Sequence, residues 1–147
     1  MSRSKTKKRR VSGLTTRALV NKLDRIFSRY TRLKDADENG TVACVTCGKL
    51  AHWSEVHAGH WIKRQYQSVR FDPRNVHAQC VADNLHHGGK QDEYGKYIID
   101  RYGLDAFNEL LAKKRETKKW TREELENMIA DYIEKVRTLE SGLNFQA

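Results

Sequence analysis

Apolar residues recur at helical steps in three parts of the chain and lose that rhythm in one. Across 14–33, Leu19, Leu23, Ile26, Tyr30 and Leu33 fall three or four residues apart, predicting an amphipathic helix. Ser12 or Thr15 supplies its N-cap, and Lys22, Arg25, Arg29 and Arg32 fall on other faces. The stretch Asp35–Gly40 (DADENG) reads as a turn. Residues 41–84 have no helical period. Thr41–Cys44, Ala51–Trp53, His60–Ile62 and Asn75–Ala78 are candidate short strands there. Helical spacing returns at 91–113. Tyr94, Tyr97, Ile98, Ile99 and Tyr102 form one set, Gly103 stops it, and Leu104, Phe107, Leu110 and Leu111 form a second. Thr121 with Glu124 reads as a capping box. It opens a stripe of Leu125, Met128, Ile129, Tyr132, Ile133 and Val136 that reaches about Leu139. That stripe is a packing face, either for the chain's own core or for a dimer.

The 147 residues suit one compact domain with extensions. A mean hydropathy of −0.82 limits the core, and chains of this size often recruit a metal to support it. Lys and Arg number 28 against 19 acidic residues, a formal charge of +9 that points to a polyanion, nucleic acid first. The first eleven residues hold Arg3, Lys5, Lys7, Lys8, Arg9 and Arg10 with no acidic neighbour, a tail expected to be disordered when free and suited to lying along phosphates. No run approaches the ~18 apolar residues of a membrane helix, and no apolar stretch follows the basic start as in a secretory signal. The expectation is a soluble protein of the cytoplasm.

Three cysteines, two of them in Cys44-Val-Thr-Cys47-Gly-Lys, have the spacing of a zinc knuckle, in which two thiolates grip one tetrahedral ion. Cys80 is the third candidate ligand. A second C-x-x-C would place the fourth at position 83, which is Asp83, and carboxylate oxygen ligates zinc. His86, His87 and His52 are the substitutes. A redox C-x-x-C, a metal-free remnant of a site, and a plain buried thiol at Cys80 are the competing readings. A carboxylate among the ligands predicts weaker, more pH-sensitive binding.

Between and after these half-sites lie His60 in His57-Ala-Gly-His60-Trp-Ile, Asn75 in Arg70-Phe-Asp-Pro-Arg-Asn75-Val-His77, and Asn84 directly after position 83. An ordered His, Asn, Asn threaded through a zinc staple resembles the HNH nucleases, whose β-hairpin and following helix hold a metal between them. The likeness is closer still to the phage recombination family NinG, also called Rap. Cys44–Lys49, Ala58–Ile62, Arg70–Cys80 and Gly88–Gly103 match its segments, over roughly residues 15–140. The order of Asn84 after position 83 is also similar to phage endonuclease VII, a Holliday-junction resolvase.

The resemblance implies a Mg²⁺-dependent, structure-specific endonuclease that hydrolyses phosphodiesters at branched recombination intermediates such as Holliday junctions and D-loops. It would be encoded by a phage and act in the bacterial cytoplasm. It implies His60 as general base, because a neutral imidazole can take a proton from water. It implies Asn84 as a Mg²⁺ ligand through its amide oxygen and Asn75 as the residue that holds the loop and the His60 ring. Lys63, Arg64, Arg70 and Arg74 flank the site as phosphate contacts, joined by Lys7, Lys8, Arg9 and Arg10 of the tail. His77 lies near the site with no assigned step. Many HNH enzymes carry a metal-binding Asp just before the catalytic His. Here that residue is Gly59, so a second Mg²⁺ ligand must come from elsewhere, with His57 and Glu55 as candidates.

The expected architecture is α+β: a zinc-stapled ββα-metal core of the HNH, treble-clef-like kind with helices on both sides. Residues 1–11 would form the tail, 12–40 the first helix and turn, 41–90 the nuclease core, 91–140 the C-terminal helices, and 141–147 a flexible end. Cutting a junction on both strands takes two active sites, so a homodimer through Tyr132, Ile133 and Val136 is expected. The rival reading is a non-catalytic zinc-finger DNA-binding module, which would need neither His60 nor Asn84. RNA binding is a third, suggested by charge alone.

Overall fold

The structure is a computed structural model that describes residues 13–144. Helix α1 spans Thr16–Lys34, and the Thr15 hydroxyl caps it by accepting the Ala18 amide at 3.1 Å. Helix α5 spans Arg122–Ser141, and Thr121 caps it by accepting the Glu124 amide at 3.2 Å. The Thr121 hydroxyl in turn donates to the Glu124 carboxylate. These two long helices meet although about ninety residues separate them in sequence. Leu19, Leu23 and Phe27 of α1 are buried with Leu125, Ile129 and Tyr132 of α5, and Phe71 and Val76 close the cluster from the middle of the chain. The Phe27 and Tyr132 rings meet edge to face at 5.0 Å.

Tyr132 and Val136 are therefore buried within the chain, at 6% and 9% exposure. Only Ile133 of the three residues expected at a dimer interface stays exposed. The stripe on α5 serves the chain's own core, because α1 presents a matching apolar face.

Strands β1 (Thr41–Ala43) and β2 (Leu50–His52) form an antiparallel hairpin with Val42 opposite Ala51. The knuckle 44–49 is its turn, and Gly48 takes the left-handed φ of +79° that the turn requires. After a helical turn at Trp53–Glu55 comes a second antiparallel pair, β3 (His57–His60) with β4 (Val76–Gln79). The strand expected at His60–Ile62 thus lies three residues earlier. Trp61 still donates to the Asn75 carbonyl, but the Ile62 amide turns to the Asn75 side chain at 2.8 Å, which takes the chain out of the ladder. The connection carries α2 (Gln67–Arg70).

A wide helical turn at Ala82–His86 follows β4, then α3 (Gln91–Tyr102) and α4 (Leu104–Lys114), with Gly103 at φ +92° between them. Trp61, Ile62, Val69, Tyr94, Ile98 and Leu110 form a second core where α3 and α4 cover the loop after β3. Around the two hairpins the fully apolar cluster is small: Val42, Val56 and Ala78. The chain is α+β, with two small sheets and several helices. No helix among the described residues is long and apolar enough to cross a membrane.

Candidate metal centre and active site

The turn of the first hairpin and the end of the second bring four side chains together. The ligand atoms of Cys44, Cys47, Cys80 and Asp83 all lie within 4.8 Å of one another. Cys47 and Cys80 place their sulfurs 3.7 Å apart, and Cys44 Sγ stands 3.8 Å from Asp83 Oδ2. Tetrahedral zinc with ~2.3 Å bonds to sulfur requires sulfurs about 3.8 Å apart, so the group fits such an ion. The substitute ligands lie elsewhere. His52 bonds Ser54, and His87 Nδ1 sits 2.9 Å from Asp83 Oδ1, where it orients the carboxylate from outside. Thr46 donates to Asp83 Oδ2 at 2.7 Å. These two bonds hold the Asp83 carboxyl down at about 2, so it is an anion at any working pH. Cys47 lies at the opposite extreme. The Lys49 amide favours its thiolate, but burial and the Cys44 and Cys80 sulfurs outweigh that and push the thiol up to about 12. Crowded sulfurs of this kind are what a divalent cation relieves.

A cleft of about 570 Å³ is walled by α1, the 54–56 segment, β3, the loop beyond it and the 84–91 segment. His57, His60 and Asn84 all line it. His60 donates from Nε2 to the Arg70 carbonyl at 3.0 Å, because a carbonyl can only accept. Its Nδ1 therefore carries the lone pair. Burial drives the ring down to about 4 against the pull of that carbonyl, so His60 is neutral at pH 7. Asn84 donates from Nδ2 to His57 Nδ1 at 3.0 Å, and its amide oxygen has no hydrogen-bond partner among the described residues.

Asn75 is fully buried. It accepts the Ile62 amide and donates to the Ile62 and Val69 carbonyls at 2.9 and 3.1 Å. One amide thus ties both ends of the loop that follows His60, while the His60 ring is oriented by the Arg70 carbonyl. Gly59 admits no side chain: a Cβ there would stand 2.0 Å from Gln79 Oε1. The carboxylate that many HNH enzymes carry at this place has no room while Gln79 stays put. Glu55 does not line the cleft.

The other expected site residues divide. Lys63 and Arg64 line the cleft and meet no carboxylate among the described residues. Arg70 points its guanidinium at Asp24 of α1 in a two-pronged ion pair, and Arg74 is held by Asp72 at 3.0 Å and Glu109 at 2.7 Å. Both were expected to clamp phosphates; both are already neutralised by carboxylates distant in sequence or at a turn. Lys7, Lys8, Arg9 and Arg10 lie outside the described residues. His77 is fully buried, with its two ring nitrogens 3.2 Å from Tyr94 Oη and 2.8 Å from Tyr102 Oη. Burial, with Lys34 and Arg101 nearby, pushes it down to about 2. It packs in the second core rather than at the cleft. No motif announces Asp24, Arg32 and Gln91 as cleft residues, since they come from helices on either side of the motifs.

A small basic α+β chain with a Cys₃Asp group able to hold a metal such as zinc, beside a cleft lined by histidine and asparagine, is the class of protein this structure defines. The chain belongs to the NinG family: the family model described as Bacteriophage Lambda NinG protein matches residues 1–142. Protein ninG of Salmonella phage P22 is 31% identical over 123 residues, 82% of this chain and 57% of the relative. The protein of the same name from Escherichia phage 933W is 30% identical over 84% of this chain and 59% of its own length. That of Escherichia phage lambda is 29% identical over 84% and 58%. The chain thus spans less than two thirds of the length of these relatives. No solved structure matches it.

Proposed function

We propose that this chain is a Mg²⁺-dependent DNA endonuclease of the HNH kind, acting at branched DNA such as Holliday junctions. The observation that carries the reading is the cleft lined both by His60, with its Nδ1 lone pair, and by Asn84, with its unpartnered amide oxygen. The hairpin β3–β4, followed by the 82–86 turn and stapled by the Cys₃Asp group, supports a ββα-metal core. A neutral His60 accepts the proton of an attacking water, whose oxygen forms a bond to the scissile phosphorus as the bond to the leaving oxygen breaks. Asn75 keeps the loop beyond His60 in place, and the Arg70 carbonyl fixes the ring. The donors suit Mg²⁺, which keeps most of its waters and takes few protein oxygens. Asn84 would hold it with His57 beside it, and the ion would stabilise charge developing on the phosphate. With Asp24 paired to Arg70 and no carboxylate at Gly59, the DNA phosphate must supply much of the ion's charge partner.

The test is a labelled four-way junction and a matching linear duplex, each with Mg²⁺ and without added divalent metal, beside His60→Ala. Junction cuts that need Mg²⁺ and fall at least ~100-fold in His60→Ala, with binding retained, support the nuclease and its base. Tight junction binding with no cuts by the natural sequence under Mg²⁺ or Mn²⁺ overturns it in favour of a zinc-stapled binding module.

A further inference from the structure

Arg32 projects from α1 into the cleft that holds His60 and Asn84. It is half-buried, and its position is fixed: Nε donates to the Ser28 carbonyl at 3.2 Å, Nη1 to the Trp53 carbonyl at 3.4 Å, and the guanidinium lies 5.3 Å from the centre of the Trp53 ring. No carboxylate pairs with it among the described residues. Its neighbour Arg29 is different, since that guanidinium reaches Glu140 at 2.5 Å. Burial, and then Arg29, lower the pKa of Arg32, and no carboxylate in the cleft opposes them. Such a charge costs stability, and the missing anion is the natural explanation for keeping it. Lys63 and Arg64, also without carboxylate partners, line the same cleft, while Asp24 is neutralised by Arg70.

We propose that Arg32, held rigid against Trp53, is the anion-binding residue of the cleft and takes the non-bridging oxygens of a DNA backbone phosphate, with Lys63 and Arg64 as its partners. A planar guanidinium presents paired donors that match a phosphate, which a lysine cannot do. The site deepens the nuclease reading by naming what seats the phosphate, and rests on that reading only for the cutting step.

The experiment compares the natural sequence with Arg32→Gln, Arg32→Lys and Arg25→Gln, the last an equal loss of charge at an exposed position of α1 outside the cleft. DNA affinity is measured by fluorescence anisotropy without Mg²⁺ across a salt series, and Tm by calorimetry. Arg32→Gln is expected to weaken binding about tenfold or more beyond Arg25→Gln and to reduce the salt slope by about one phosphate contact. Its Tm should be unchanged or raised, because an uncompensated charge has been removed. Arg32→Lys should keep the salt slope yet recover only part of the affinity. A lower Tm in Arg32→Gln with affinity equal to that of Arg25→Gln would overturn the proposal and leave Arg32 as a support for Trp53. Binding lost in Arg32→Gln while the natural sequence never cuts DNA would keep the anion site and reject the nuclease. Cutting with full affinity and rate in Arg32→Gln would do the reverse.

Discussion

The α1–α5 pair and the two hairpins solve the same problem by different means. The helices give six residues to a buried cluster that Phe71 and Val76 complete, with four aromatic pairs around Phe27, Tyr30, Phe71 and Tyr132. The hairpins carry strands of three or four residues over a cluster of Val42, Val56 and Ala78. Strand pairs that short are marginal without outside support. The Cys44, Cys47, Cys80 and Asp83 group lies between the turn of one hairpin and the end of the other, and a metal held there would supply that support. The hairpins carry polar side chains into the cleft and bury few apolar ones, so a chelated ion would do there what apolar burial does between the helices.

The largest break in the comparison is metal removal. Prolonged chelation, or Cys80→Ser, should unfold the hairpin region, since structural zinc contributes on the order of 10 kcal/mol in small zinc modules. Far-UV circular dichroism should retain most of the helical signal while amide exchange speeds up in 41–87. Uniform exchange protection after metal removal would mean the ion is dispensable. Next is Phe27→Ala, expected to cost about 3–5 kcal/mol in denaturant midpoint analysis and to leave zinc content by elemental analysis unchanged. Loss of zinc with it would show that the helical pair and the metal site fold as one unit.

Asn75→Ala lies between the two regions. It leaves the Ile62 amide and two carbonyls unpaired in the interior, so a loss of about 2–3 kcal/mol is expected, together with a lower rate of the proposed cleavage. A Tm equal to that of the natural sequence would show that the loop after His60 holds itself. His77 sharpens the contrast through pH. Its pKa is lowered to about 2 in the folded chain from an ordinary value near 6.5, so the unfolded chain binds the extra proton. The stabilising contribution is complete above pH 6.5 and is lost as pH falls toward 2, by about 1.4 kcal/mol per pH unit once below 6. Urea midpoints should fall from pH 6 to 5 with this slope added to that of His60, whose ring is lowered to about 4 in the fold, and His77→Gln should remove about half of the combined slope; an unchanged slope in His77→Gln would assign the loss to other groups. The smallest effect is Thr121→Ala at the start of α5, about 1 kcal/mol by thermal melting with the zinc content and cleft untouched. A shift near zero would mean that packing on α1 alone sets the helix start.

Local chemistry was legible in the chain. Thr15, Gly103 and Thr121 mark helix ends because capping needs a hydroxyl or a left-handed glycine at one position and nothing from afar. The spacing of Cys44 and Cys47 is likewise a two-residue matter, and Asp83 follows from the repeat of that spacing at Cys80. What the tertiary structure alone decided is pairing across distance. Nothing near Arg70 in sequence announces Asp24, 46 residues away, so an expected phosphate clamp proves to be half of an ion pair. His77 lies two residues from Asn75, yet strand alternation and the packing of α3 send it among tyrosines rather than to the cleft. The apolar stripe of α5 was plain, but that Tyr132 packs on α1 depended on Phe27 and Tyr30 standing opposite it. Arg32 shows the same limit in the other direction: it is one more cation on a basic helix until the fold places it in the cleft against Trp53, with no carboxylate to meet it. Caps, turns and chelating spacings are short-range and survive in the sequence; the fate of a charge depends on which opposite charge the folded chain carries to it.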